Sequence, residues 1–367
     1  MSRMILKRLS VLNYKNIQEV GLSFSPKLNC FVGNNGMGKT NFLDAIYYLS
    51  FCRSYINTPE AQVIHWGQDM CLIQGFYDYD GRDVELLCAL KRGQRRVFKR
   101  DKKEYDRLSD HIGILPLVMV SPLDSVLIQG GSDERRRFMD LIISQQDKPY
   151  LQALIQYNKV LTSRNALLKE PSPNYSLLEV LDSQLVAYGL AIHEKRKALV
   201  EEFKPIFNRY YRLISGSTEE IGLEYISQLA DGDFEERLNL NRERDRVVGY
   251  TTVGVHKDEL EMRLGDYLIR RVGSQGQNKT YLIALKLAQY TFLSRKSLTR
   301  PILLLDDIFD KLDAERVGQI ISLVRQDEFG QIFITDTNRK YLDEILAAVK
   351  NDHMLFQVDQ GAVRSLG

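Results

Sequence analysis

Gly33-Asn34-Asn35-Gly36-Met37-Gly38-Lys39-Thr40 lies between an apolar stretch, Asn29–Val32, and a segment of helical periodicity, Thr40–Phe51. It fits G-x-x-x-x-G-K-[ST] at every position, with a strand before it and a helix after it, which is the context a phosphate loop requires. A chance glycine-rich turn would share the composition but not the flanks. Glycines let the backbone wrap a phosphate with its N–H groups turned inward, and the helix N-terminus adds positive potential. Lys39 is placed to neutralise β- and γ-phosphate charge, and the Thr40 hydroxyl to ligate Mg²⁺. The expected nucleotide-binding stretch is therefore Gly33, Asn34, Asn35, Gly36, Met37, Gly38, Lys39, Thr40 and the following Asn41, with ATP and Mg²⁺ as cofactors.

Far downstream, Ile302-Leu303-Leu304-Leu305-Asp306-Asp307 reads as a buried strand ending in two acids. Pro301 can begin such a strand but could not sit in its middle. Ligands of open α/β sheets gather at the carboxyl edge of the strands. Asp306 is expected in the Mg²⁺ shell with Thr40, and Asp307 as the group that polarises the attacking water. Alone, the pair could equally cap the next turn, since Asp is a common turn residue. The phosphate loop decides for the catalytic reading, with Lys39, Asp306 and Asp307 as its carriers.

Between these landmarks the texture changes twice. Residues 4–12 and 19–24 read as a strand pair turning at Lys15-Asn16, and 63–98 alternates in a strand-like way with glycine punctuation. After Leu115–Val120 and Ser121-Pro122, helical patterns run over 133–145, 149–170, 175–214 and 233–244, with a loop from Gly216 to Gly222. Strand texture is expected again at Val247–Val255 and Glu259–Leu264, then a helix over 276–295 and a strand at Gln331–Thr335. At 367 residues the chain exceeds one ordinary core. The fold class is α/β: a nucleotide-binding domain of residues 1–122 and 247–367, with a mainly helical arm, 123–246, inserted into it.

Hydrophobic content of 44% with 27% charged residues is that of a globular protein. A net charge of +2 confers no bulk affinity for nucleic acid, so any such binding must come from local clusters. Cys30, Cys52, Cys71 and Cys88 lack metal-ligand spacing and read as buried free thiols. Met1–Val11 lacks the apolar stretch of a signal peptide, and no segment reaches the length that spans a bilayer. A cytoplasmic protein is expected.

Gly273-Ser274-Gln275-Gly276-Gln277 opens the helix over 276–295, with Ser274 suited to the N-cap. By itself this is an ordinary capped helix. In order and spacing, however, the chain resembles ABC-type ATPase heads, which carry a phosphate loop near the N-terminus and an S-x-G-Q signature shortly before the acidic strand. Asp310-Lys311-Leu312-Asp313 looks like the D-loop of those heads. Within that superfamily the chain most resembles the RecF family of bacterial recombination mediators. Phe31–Ala45, Ser54–Gly67, Gly131–Asp140, Gly254–Gly265 and Gly273–Gln277 carry the resemblance.

The resemblance implies an ATPase head with a mixed central sheet. Ser274, Gly276 and Gln277 would then complete the nucleotide site held by the phosphate loop of a second copy, so that ATP drives homodimerisation. It further implies binding to double-stranded DNA or single-strand/duplex junctions, and weak DNA-stimulated hydrolysis that acts as a release switch. RecR is the implied partner, with RecO, and RecA is loaded downstream onto gapped DNA coated by single-strand binding protein. Two departures stand out. The second acid is Asp307 rather than the glutamate of transporter heads, and Asp336-Thr337 follows the strand Gln331–Thr335 where those heads carry a histidine. The γ-phosphate sensor is left open, with Thr335 and Asp336 as candidates, and Gln129 is a Q-loop residue or a plain loop residue.

Lys91, Arg92, Arg95, Arg96, Lys99 and Arg100 crowd one short segment and are the DNA-binding candidates. Such a patch would contact phosphates irrespective of sequence. It could equally be a solvated strand face, since lysines also guard exposed edges. Arg135, Arg136 and Arg137 fit ion pairs between arm and head better than DNA contacts, and His256 reads as a turn or packing residue. Other SMC/Rad50-like or transporter-like ATPases are the alternatives, and a helicase a weaker one. The broken helical pattern of 123–246 disfavours a long coiled coil, and the missing histidine disfavours a transporter motor.

Overall fold

The computed structural model describes residues 3–56, 59–216, 219–230, 232–310, 312–324, 326, 328–348 and 352–366. The chain divides into two compact units. The first comprises Met1–Asp124, Leu213–Gly216 and Lys279–Gly367, and the second Ser125–Arg212 and Ser217–Asn278.

The first unit opens with strands β1 (Met4–Tyr14), β2 (Ile17–Ser23) and β3 (Leu28–Val32), then helices α1 (Lys39–Phe51) and α2 (Glu60–Val63). Strands β4 (Met70–Tyr79), β5 (Arg82–Lys91), β6 (Val97–Arg100), β7 (Lys103–Glu104) and β8 (Leu117–Val120) follow. Strands β4 and β5 alternate buried with partly exposed residues, as expected of an antiparallel sheet with one face on the core. They belong to a six-stranded sheet ordered β2-β1-β4-β5-β6-β7.

The second unit holds α3 (Val126–Gln129), α4 (Ser132–Ser144), α5 (Lys148–Leu167) and most of α6 (Tyr175–Ser215). It continues with β9 (Ile221–Ile226), α7 (Phe234–Val248), β10 (Glu259–Leu264), β11 (Tyr267–Leu268) and α8 (Ile269–Val272). Its core contains charge. Arg164 of α5 is fully buried and donates to Asp182 of α6 at 2.5 Å, to Asp245 of α7 at 2.7 Å and to Thr251 at 2.9 Å. Arg196 of α6 likewise joins Asp140 of α4 to Asp258, at 2.9 and 2.8 Å. Buried charges are tolerated when paired in this way.

Helix α9 (Gln275–Lys296) leads back to the first unit, which ends with β12 (Ile302–Asp306), α10 (Ala314–Val324), β13 (Ile332–Asp336), α11 (Arg339–Ala348), β14 (His353–Asp359) and β15 (Ala362–Ser365). The central sheet runs β15-β14-β3-β13-β12-β8. Its strands are parallel except β15, which is antiparallel to β14, so the sheet is mixed as expected. Every residue of β8, β12 and β13 is buried, which explains their continuous apolar runs.

Three expectations are corrected. Val247–Val255 is no strand: α7 runs to Val248 and stops at Gly249, whose φ of 75° lets its N–H bond the Asp245 carbonyl. The strand texture came from β-branched residues in and after a helix end. The loop expected over 216–222 gives way at Ile221 to β9, and Ser217 and Thr218 within it lie outside the described residues. Because β9 pairs with β10 from Glu259↔Ile226 to Leu264↔Ile221, residues 247–278 group with the arm rather than with the head. The boundaries therefore fall after 124 and after 278, not after 122 and 246.

Candidate nucleotide site

Register places the site. Asp306 is opposite Thr335 across β12 and β13, Thr335 is opposite Phe31 of β3, and Leu305 is opposite Val120, just before Ser121. Four neighbouring parallel strands thus release their chains at one edge. The Asp306 carboxylate accepts the Thr40 hydroxyl at 2.9 and 3.0 Å, the Thr335 hydroxyl at 2.7 Å and the Ser121 hydroxyl at 3.2 Å. Burial holds its pKa above the ordinary carboxylate value, and the hydroxyl donors oppose that shift. Ser121 escaped the sequence reading, because a serine after a strand has no signature of its own.

The phosphate loop opens a pocket of about 200 Å³ lined by Asn35, Gly36, Gly38, Lys39, Thr40, Asn41, Asp306 and Asp307. The Lys39 ammonium donates to the Gly33 carbonyl at 2.7 Å and to the Asn34 carbonyl at 3.0 Å, which leaves one of its three donors for an anion. Burial lowers its pKa, against the pull of Asp307, Asp306 and Asp336. Gly38 caps α1 at a φ of 101° with no side-chain cap, so first-turn N–H groups remain for a ligand. Asp307 holds a left-handed φ of 51°, its N–H donating to the Thr335 carbonyl and hydroxyl, each at 3.1 Å.

Asn16, assigned by sequence only to a turn, pins the loop. Its amide donates to the Met37 carbonyl at 3.3 Å and accepts from Asn41 Nδ2 at 2.7 Å. From the other side the Gly361 N–H donates to the Met37 carbonyl at 2.9 Å. A Cβ at Gly33 would overlap the Val358 carbonyl oxygen, so that glycine is demanded by close approach.

Thr335 and Asp336 do not line the pocket. The Thr335 hydroxyl serves Asp306, and the Asp336 carboxylate accepts the Asn338 N–H at 2.5 Å. Asp313 caps α10 through the Arg316 N–H at 2.9 Å, while Lys311, in the expected D-loop, lies outside the described residues. So do Asn57 and Thr58 of the stretch Ser54–Gly67. Among the described residues no group of three or more His, Cys, Asp and Glu could hold a metal unaided. Thr40 and Asp306 nevertheless present a hydroxyl and a carboxylate, the hard oxygen ligands that Mg²⁺ takes when substrate phosphates complete its shell.

In the second unit the signature forms a capping box at the start of α9. The Gln277 N–H donates to the Ser274 hydroxyl at 3.2 Å, and the Ser274 N–H donates to Gln277 Oε1 at 2.9 Å. Ser274 is exposed, and as an acceptor there it still has its own proton to donate. Gln129 is exposed at the end of α3. Arg135 pairs with Glu259 at 2.6 and 2.7 Å, Arg136 donates to the Asp258 carbonyl, and Arg137 pairs with Glu134. These contacts lie within the second unit rather than between arm and head. His256 accepts from the Tyr157 hydroxyl at 2.8 Å and bonds the Thr251 carbonyl at 2.9 Å. With both nitrogens engaged and its pKa lowered by burial to about 4, it is the packing residue expected.

The basic segment divides. Arg96 is a strut, paired with Glu60 at 2.9 Å and bonded to the Cys52 carbonyl. Arg92 bonds the Gln68 carbonyl at 2.8 Å and the Ala61 carbonyl at 3.0 Å. Lys91 and Arg95 are exposed, and Lys99 and Arg100 are half-buried beside Glu104 and Asp101. The four cysteines are buried and free.

The RecF/RecN/SMC N-terminal domain model matches residues 5–361. A DNA replication and repair protein RecF from Parabacteroides distasonis is 68% identical over 363 residues, which span 99% of this chain and 100% of that protein. The chain belongs to the RecF family. A solved structure of the recombination mediator RecF with ATP, from the RecFOR pathway, superposes with a TM-score of 0.89 at 28% identity, covering 100% of this chain and 98% of its own. An SMC head domain from Pyrococcus furiosus shares the fold, with a TM-score of 0.59 at 18% identity over 99% of this chain and 96% of that one. The fold is thus the RecF and SMC type of ATPase head, and RecF membership sets aside the transporter and helicase readings. No described helix is long and apolar enough to cross a membrane.

Proposed function

We propose that the chain is an ATP-switched DNA-binding protein of recombinational and replication-gap repair, working in the cytoplasm. The supporting observation is the convergence of Lys39, Thr40, Asp306 and Asp307 on one pocket at the carboxyl edge of the central sheet. Lys39 and the first N–H groups of α1 hold the β- and γ-phosphates of ATP, and Thr40 and Asp306 hold Mg²⁺. That ion supplies charge neutralisation on the phosphates. Asp307 orients the attacking water; its short side chain suits the slow turnover of a release switch.

Ser274, Gly276 and Gln277 serve the nucleotide of a second copy, in a two-fold dimer whose sites are isologous. Contacts made only to the γ-phosphate favour the dimer with ATP over ADP, which is a population shift. Bound at duplex DNA or at single-strand/duplex junctions, the dimer assists RecR and RecO in loading RecA. Sedimentation with ATP, ADP and no nucleotide tests this. A dimer is expected with ATP alone and is strengthened by DNA. Ser274→Arg is expected to bind ATP as a monomer but not to dimerise; an ATP dimer unaffected by that change overturns the shared site.

The DNA-binding part concerns Lys91, Arg92, Arg95, Arg96, Lys99 and Arg100. Replacing Lys91, Arg95 and Lys99 together with Ala spares the Arg92 and Arg96 struts. It is expected to weaken duplex binding uniformly across sequences and to reduce the salt slope by about one for each phosphate left without its cation. An unchanged slope clears the patch.

A further inference from the structure

Trp66 is 92% exposed, although a ring of that size ordinarily buries most of its surface. It occupies the second position of a turn, His65–Gln68, closed by the Gln68 N–H on the His65 carbonyl at 3.0 Å, with Gly67 at a φ of 80°. The turn is firmly held. The His65 N–H donates to the Asn13 carbonyl at 2.8 Å, and His65 Nδ1 bonds the Lys15 carbonyl at 2.6 Å. Arg92 fastens it to the β5–β6 hairpin, its guanidinium on the Gln68 and Ala61 carbonyls and its N–H on the Asp69 carbonyl at 2.9 Å. A rigid mount therefore displays an indole on a turn that Arg92 holds, with exposed Lys91 opposite Met70 and exposed Arg95, bonded to the Asp106 carbonyl at 3.2 Å, farther along the same hairpin.

We infer that the Trp66 turn and the adjoining hairpin form a stacking site for an unpaired base of single-stranded DNA, with Lys91 and Arg95 on the flanking phosphates. An aromatic face beside a cationic track is the pairing that binds single strands, each stacked base contributing to affinity regardless of its identity. A base stacked within a duplex has no free face to offer. A protein partner would be met by an apolar surround, and here Met70 is the exposed apolar neighbour, while the exposed Asp69 and the Arg92 guanidinium on the Gln68 carbonyl make the rest of the turn's margin polar. The inference rests on the DNA-binding reading above and adds the strand state that the site selects.

Trp66 is the chain's single tryptophan, so intrinsic emission reports on this ring alone. The full-length protein is titrated with labelled blunt duplex and with the same duplex carrying an oligo(dT) overhang, and label anisotropy and tryptophan emission are followed together. The overhang is expected to quench emission and the blunt duplex to leave it unchanged. Trp66→Ala is expected to weaken overhang binding about 10-fold with blunt-duplex affinity unchanged, and Trp66→Phe to retain most of the affinity. Overhang binding with unaltered emission and no loss in Trp66→Ala overturns the inference and leaves the DNA-binding reading standing. No anisotropy change with either DNA removes both. An emission change produced by ATP alone, without DNA, assigns the ring to a second copy of the chain and overturns the stacking site.

Discussion

Lys39→Ala is expected to lower ATP affinity by about 30-fold or more, to reduce turnover by about 10²–10³-fold, and to leave thermal unfolding close to that of the unaltered chain. The ammonium sits among the loop carbonyls with Asp306 and Asp307 beside the same pocket. A polyphosphate entering without it meets carboxylates and no compensating cation. Removing one partner of a desolvated charge pair costs about 2–5 kcal/mol, and loss of one preorganised electrostatic contact typically costs about 10²–10³ in rate. Stability changes little, because what is lost is two hydrogen bonds from the ammonium to carbonyls of its own loop, and burial already disfavours the charged form of Lys39. Lys39→Arg keeps the charge but replaces a compact ammonium by a planar fork, and is expected to fail in turnover while folding normally. Titration calorimetry with ATP and a thermal melt check both; wild-type ATP affinity in Lys39→Ala removes Lys39 from the site.

The largest expected loss of stability lies in the second unit. Arg164→Met leaves Asp182 and Asp245 buried without the guanidinium that joins them. Breaking a buried pair by removing one partner costs about 3–5 kcal/mol. Arg242 at 3.0 Å still serves Asp182, and the Thr252 hydroxyl at 2.5 Å still serves Asp245, which favours the lower half of that range. Urea unfolding followed by far-ultraviolet dichroism measures it. A second substitution, Asp245→Asn, is expected to recover part of the loss by removing the stranded charge. A midpoint unmoved by Arg164→Met would show that the triad is not what ties α5, α6 and α7 together.

Legibility in the sequence followed the range of the interaction. The stretch from Gly33 to Thr40 was readable because its chemistry is local: a strand, a wrap and a helix start lie within a dozen residues. Asp306 was readable only beside the phosphate loop, since an all-apolar strand ending in acids could by itself equally lead into a capped turn. Ser121 and Thr335 were not, since their value arises only when β8 and β13 flank β12 and bring two hydroxyls to one carboxylate. Thr335, one of two candidates for the γ-phosphate sensor, donates its hydroxyl to Asp306. Val247–Val255 misled because β-branched residues imitate a strand, while the stop at Gly249 depends on a backbone dihedral. Arg96 looked like its neighbours until Glu60 and the Cys52 carbonyl came beside it.

The two pins on the phosphate loop have a consequence for synthesis. The Asn16 amide comes from the first hairpin, whereas Gly361 and the Val358 carbonyl come from the last. A growing chain therefore carries its complete loop sequence for some 320 residues of further translation before the second clamp exists. The ribosome must deliver residue 361 before the loop is held from both sides, so the two pins are made far apart in time.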